Sequence, residues 1–310
     1  MISIVIPAYN EESAIAETVE KCRKILSAIG DTSSEVIVVD DCSKDNTAGI
    51  AEKAGAVVIR HPHNAGYGRS LKDGIRKAKN DTIVITDADG TYPLESIPVI
   101  YEEYKKGFDM VVGARQGKNY DESFKKKILR VILKKLVEYT SGGKIYDINS
   151  GLRIFSKNTI IQYFDTLCDT FSFTTSVTLA YMMTNRFVTY LPITYHKRVG
   201  KTKVRLFRDT LRTLQYIVEA ILFYNPLKIF LLLCWIILLF GAVNVALAFI
   251  FHLTFAFILS VASVILAILF FGMGLMAVLM KQILMRLRFG DMRFAPVNRR
   301  QETHWRLLLQ

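Results

Sequence analysis

Charge is missing from one long part of this chain. Between Lys228 and Lys281, residues 229–280 contain no Asp, Glu, Lys or Arg. An ordinary soluble domain does not leave so long a run unpunctuated, and the length suffices for two membrane crossings of ~20 residues each. Cysteine is also scarce. The four present (Cys22, Cys42, Cys168, Cys234) form no CxxC pair, which excludes the usual zinc-site spacings and reads as free thiols in a reducing compartment. The first residues, MISIVIPAYNEE, lack a basic stretch ahead of their apolar run and read as a strand, not a secretory signal. Disorder is excluded by abundance: 51% of the 310 residues are hydrophobic, and disordered chains are poor in such residues.

What charge there is lies unevenly. The formal net charge is +12. Segment 197–212 holds seven basic residues against Asp209, and segment 281–310 holds seven against Asp291 and Glu302. These two flanks therefore hold nearly all the excess. A nucleic-acid binder would also be basic, but positive charge bracketing an apolar block points to membrane anchoring by the positive-inside rule. The block divides at Phe251-His252-Leu253-Thr254 into about 229–251 and 255–280. The turn has no Lys or Arg, so a two-helix hairpin with the catalytic domain and the C-terminus in the cytoplasm is expected. The competing possibility is a fully buried helical pair in a soluble protein. Before the block, 124–138 and 206–223 read as basic amphipathic helices, suited to packing on a core or to lying on anionic lipid. After it, the tail beyond Arg286 would suit packing on a second copy, as a homo-oligomer, or lying on the membrane.

Residues 1–110 alternate strand and helix patterns. Strands are expected at 2–7, 35–39, 56–60, 82–86 and 110–112, and helices at 12–29, 47–54, 69–79 and 94–106. This rhythm predicts an α/β fold with a mostly parallel sheet covered on both faces. Ligands bind beyond the carboxyl ends of such strands, so chemistry is sought there. The first strand runs into Pro7-Ala8-Tyr9-Asn10-Glu11, and the second into Asp40-Asp41. Acidic residues at such a strand end can accept hydrogen bonds from a base or ribose, although Ser43 or Asp45 could equally cap the next helix. Asn64-Ala65-Gly66-Tyr67-Gly68 leads into a helix N-terminus, a place that favours phosphate, or is a plain turn. The fourth strand ends in Asp87-Ala88-Asp89. Paired carboxylates there can hold Mg²⁺ or Mn²⁺, which neutralises a departing diphosphate.

The ordered set IPAYNEE, VVDDCSKDNT, HNAGYGRS, DADG, VVGAR and SGLRIF resembles the family 2 glycosyltransferases of the GT-A fold. More narrowly, it resembles the dolichol-phosphate mannose/glucose synthase type, over residues 1–205. The resemblance implies a 1–205 catalytic domain, a 206–225 interface helix, a 226–282 hairpin and a 283–310 tail. It implies that Pro7, Ala8, Tyr9, Glu11, Asp40 and Asp41 hold the nucleoside, with Asn64, Gly66, Asp87 and Ala88 completing the nucleotide-sugar site. Asp87 and Asp89 would be the metal residues, and Asp89, Arg115, Asp147 and Arg153 would stand at the reacting centre. Arg153, Arg198, Lys201 and Lys203 would meet the lipid phosphate. The implied activity is inverting transfer of a hexose from a nucleotide sugar to a polyprenyl phosphate at the bilayer, with no nucleic acid involved. A processive polysaccharide synthase and a non-catalytic nucleotide-sugar-binding scaffold are the alternatives. Three positions depart from the pattern: Thr91 stands where many relatives have Gln, Cys42 where glycine is usual, and FSFTTS from Phe171 lacks the acidic residues often found there.

Overall fold

The structure is a computed structural model that describes residues 1–30, 33–117, 131, 134–139, 142–196 and 206–289, with backbone alone for 206–213 and 285–289. Arg198, Lys201, Lys203, the tail from 290 and most of the amphipathic segment 124–138 lie outside the described residues.

The chain divides into two compact units, 1–224 and 225–310. In the first, a seven-stranded sheet has the order β3-β2-β1-β4-β6-β5-β7. Its strands are β1 (Ile2–Ala8), β2 (Glu35–Asp40), β3 (Val57–Arg60), β4 (Thr82–Ile85), β5 (Met110–Gln116), β6 (Arg153–Ser156) and β7 (Val188–Thr194). β1, β2, β3 and β4 run parallel, as do β5 and β7, while β6 opposes both β4 and β5. The sheet is thus mostly parallel, with one reversed strand that the sequence pattern did not reveal.

β1 and β2 are buried on both faces, which explains their near-continuous Ile/Val runs. One apolar layer joins Ile4, Ile6, Val19, Val38 and Ile97, and the opposite layer joins Val5, Ile37, Leu71, Ile75 and Phe155. Helices α1 (Ile15–Ala28), α2 (Thr47–Lys53), α3 (Tyr67–Lys77) and α4 (Ile97–Lys105), the last led by a single 3₁₀ turn, connect the first five strands. Helix α1 starts three residues later than its periodicity suggests. Asn10 takes a left-handed conformation (φ 52°), and the Glu11 carbonyl accepts the amides of Ala14 and Ile15. Later come α5 (Lys157–Ile161), α6 (Phe173–Met183) and α7 (Leu206–Tyr224). Ile217 and Ile221 of α7 are buried, so its apolar side covers protein.

The second unit is a hairpin of α8 (Pro226–Phe251) and α9 (Thr254–Phe289). Both are long and apolar enough to cross a membrane, and little of either is buried. Trp235, Phe249 and Phe255 lie open along them. That exposure argues against the soluble buried pair and fits an anchor bathed in lipid. Small residues let the helices touch: a Cβ on Gly241 would stand 3.0 Å from Ser263 Cβ, and one on Gly274 would stand 2.8 Å from Phe230 Cβ. The Cys234 thiol points at the Ala267 carbonyl at 3.2 Å.

Candidate functional site

A cleft of about 510 Å³ opens at the carboxyl ends of β1, β2 and β4, where an α/β sheet of this kind binds ligands. Ten of the residues singled out in the sequence line it. Pro7, Ala8, Tyr9 and Glu11 come from the β1 end, Asp41 from the β2 end, Asn64 and Gly66 from the loop before α3, and Asp87, Ala88 and Asp89 from the β4 end. Thr170, Phe171 and Ser172 line it as well.

The two β4 carboxylates are each oriented by a hydroxyl. Asp87 Oδ1 accepts from the Tyr67 hydroxyl at 2.8 Å. Burial, and then the charge of Asp87, push the Tyr67 phenol well above its ordinary value, so it stays protonated and donates. Asp89 Oδ1 accepts both the Thr91 amide (3.1 Å) and the Thr91 hydroxyl (2.6 Å). Thr91, the departure from the expected Gln, thus aligns Asp89 directly. Gly151 lets the next segment close in, since a Cβ there would lie 2.8 Å from Asp87 Oδ2. The donor set offered to a metal is all oxygen, from two carboxylates. That suits a hard divalent cation that completes its shell with phosphate oxygens and water.

Asp40 is buried and does not line the cleft, and its Oδ1 has no hydrogen-bond partner among the described residues. A buried acceptor left in that state costs free energy until a donor reaches it, which a ligand N–H or O–H can do. Asp41 is different. Its Oδ1 accepts from His61 Nδ1 and the Ala65 amide, and its Oδ2 from the Gly66 amide, all at 2.8 Å. In the loop Asn64–Gly68, which lines the cleft, the amides of Ala65 and Gly66 are given to Asp41. Its glycines serve protein packing as well. A Cβ on Gly66 (φ 102°) would stand 2.7 Å from the Asp169 carbonyl oxygen, and one on Gly68 would strike the Cys168 carbonyl.

Arg115, Asp147 and Arg153 do not line the cleft. Arg115 and Asp147 are joined to each other by a bidentate pair, Nε to Oδ2 at 2.7 Å and Nη2 to Oδ1 at 2.9 Å, reinforced by the amides of Arg115 and Asn149. Arg153 requires a correction. It is 0% exposed, and its guanidinium donates to the carbonyls of Ser150 and Ile148 and to the Thr178 hydroxyl. It rivets the 148–150 segment to α6 and does not face a lipid phosphate. Burial lowers its pKa.

Several contributors were not legible. Tyr67 lies twenty positions before the carboxylate it holds. Lys72 is buried and donates to the Leu167 carbonyl at 2.5 Å while pairing with Asp169 at 2.6 Å, fixing the wall that carries Thr170–Ser172. Cys42 takes φ 62°, so a residue with a side chain occupies the left-handed position that glycine fills most easily. The alternative reading of Asp45 and Ser43 also has its answer. Asp45 accepts the Thr47 amide at the start of α2 at 3.1 Å and the Glu12 amide at 3.3 Å, and Ser43 accepts the Asn10 amide at 2.9 Å, so Asp45 holds a helix start and a loop together while Ser43 ties two loops.

Comparison with known proteins adds family and fold. The profile described as Glycosyl transferase family 2 matches residues 3–164. The low-salt glycan biosynthesis hexosyltransferase Agl6 of Haloferax volcanii is 29% identical over 220 residues, which is 69% of this chain and 52% of that relative. The dolichyl-phosphate hexose transferase of the same organism is 27% identical over 209 residues, 66% of this chain and 87% of that one. The match thus spans about half the length of the first relative. Among solved structures, glucosyl-3-phosphoglycerate synthase from Mycobacterium tuberculosis, in complex with Mn²⁺, uridine diphosphate and phosphoglyceric acid, superposes with a TM-score of 0.58 at 18% identity. It covers 71% of this chain and 78% of that one, a likeness of fold.

Proposed function

The chain belongs to glycosyl transferase family 2, and from that membership we propose that it moves a hexose from a nucleotide sugar to the phosphate of a polyprenyl phosphate, at a membrane to which α8 and α9 anchor it. One observation carries the choice of acceptor. Among the described residues, the cleft is also lined by Thr170-Phe171-Ser172, a segment that offers hydroxyls and a ring but no carboxylate or imidazole. A sugar hydroxyl needs a positioned base to remove its proton. A phosphate monoester, with a second pKa of ~6, arrives already ionised. The relative named for dolichyl phosphate supports the same acceptor.

In this reading the work is positioning and charge masking. Asp40 Oδ1 receives a donor from the nucleoside, beside Pro7, Ala8, Tyr9 and Glu11. Asp87 and Asp89 would hold Mg²⁺ or Mn²⁺, which when bound neutralises the leaving diphosphate. Tyr67 and Thr91 fix the orientation of those carboxylates. Arg115 and Asp147, paired outside the cleft, brace the 147–151 segment that approaches Asp87 through Gly151. Arg198, Lys201 and Lys203 collect the lipid phosphate, and the hairpin keeps both of its ends on the cytoplasmic side.

The test uses the full-length protein in membranes, with a panel of labelled nucleotide sugars and added polyprenyl phosphate. Label extractable into organic solvent is the expected result. Insoluble labelled polymer would mean a processive synthase, and tight binding without transfer a scaffold. Asp89→Asn is expected to fold normally and lose transfer by about 100-fold or more, the scale of removing one stabiliser of developing charge. Near-normal transfer by that variant would overturn the metal role.

A further inference from the structure

We propose that His61 is a positioning residue for the nucleotide-binding cleft, acting through Asp41. The inference rests on the reading of this cleft as a nucleoside diphosphate site. His61 follows β3 and does not line the cleft, and its side chain is 10% exposed. Its Nδ1 donates to Asp41 Oδ1 at 2.8 Å. Its Nε2 lies 3.4 Å from Asp73 Oδ2 on α3, and Asp73 is itself held by Arg69 at 2.6 Å and Arg76 at 2.9 Å. The ring is therefore held through Nδ1, while its buried Nε2 makes no hydrogen bond among the described residues.

What His61 holds matters to the cleft. The Asp41 carboxylate accepts the Ala65 amide on the same oxygen as His61, and the Gly66 amide on the other. Three donors in fixed directions leave it one rotation. Asn64 adds a bond from its side-chain amide to the Asp41 carbonyl at 3.3 Å. Asn64, Ala65, Gly66 and Tyr67 all line the cleft, and Tyr67 passes the constraint on to Asp87 through its 2.8 Å hydrogen bond. A ring outside the cleft thus sets both a stretch of its wall and the aim of one of its two strand-end carboxylates. Loss of the Nδ1 donor frees Asp41 to turn, and the wall loses its register.

The substitutions separate hydrogen bonding from space filling. His61→Asn places an N–H donor at the same number of bonds from Cβ as Nδ1. His61→Gln matches the ring more closely in length but moves its donor one bond further out. His61→Ala removes both donor and bulk. The full-length protein in detergent is titrated with UDP and with GDP, each with Mn²⁺, and thermal unfolding is recorded alongside. For whichever nucleotide the wild type binds, His61→Ala and His61→Gln are expected to bind about tenfold more weakly, the scale of one lost hydrogen bond to a charged group. His61→Asn is expected to stay close to wild type. In transfer assays the deficit should fall on KM for the nucleotide sugar more than on kcat. Equal binding by all variants overturns the proposal alone, as does recovery by Gln that matches recovery by Asn, since space would then be the whole contribution. If His61→Ala does not fold, the Asn and Gln pair still decides. A wild type that binds neither nucleotide overturns the reading of the cleft and this proposal with it.

Discussion

At Asp147, burial and pairing pull in opposite directions. Burial raises the carboxyl's pKa, but the Arg115 guanidinium and the amides of Arg115 and Asn149 outweigh it, and the net direction is down. A depressed folded-state pKa gives stability that is present above the ordinary value of 3.8 and is lost only as pH falls through the lower folded value. Removing Arg115 leaves a buried carboxylate unpaired, so Arg115→Gln should cost ~3–5 kcal/mol at neutral pH. Denaturation measured against pH is the check: the gap from wild type should narrow as pH falls through the carboxylate range and vanish once Asp147 is protonated in both proteins, and a gap unchanged in acid would exclude the ion pair as its source. The sequence marked both residues as candidates, but not as each other's partner, because 32 positions separate them. Arg153 was misassigned for a related reason. A motif match carries no information on burial, whereas the fold gives its donors to carbonyls at 148 and 150 and to Thr178 on α6.

Among the elements, local patterning performed well where burial was two-sided and poorly at reversals and edges. The apolar runs of β1, β2 and β4 stand out because both of their faces are covered. β6 is four residues long and runs against its neighbours, and β7 is a half-exposed edge strand, so neither gives a periodic signal. The start of α3 shows a second limit. A glycine-rich loop before a helix suggests phosphate, yet here the glycines admit the backbone at 168–169. Gly68→Ala therefore tests packing, not ligand approach. Its methyl group would strike the Cys168 carbonyl, so the expected outcome is a lowered Tm together with loss of transfer, the 168–172 wall being displaced. Intact stability with weakened nucleotide binding would instead restore the phosphate-loop reading.

On the scale of the whole molecule, the chain is two compact bodies that meet the sequence's division between mixed and wholly apolar composition, with the break at 224/225. The uncharged stretch announced the hairpin without any knowledge of the sheet, because length and hydropathy alone define a membrane span. A chain ended at Tyr224 should still fold and bind nucleotide as the full protein does, while no longer resisting alkaline extraction from membranes. Retention after that wash would move the anchor out of α8 and α9. The link between those helices has its own energetic meaning. Only His252 and Leu253 separate α8 from α9, and His252 closes the first helix at φ 50°. Nearly every peptide group of the hairpin is thus satisfied within a helix, as a hydrocarbon interior demands. The brevity of that bend keeps the polar load between the two helices to two peptide groups and one imidazole.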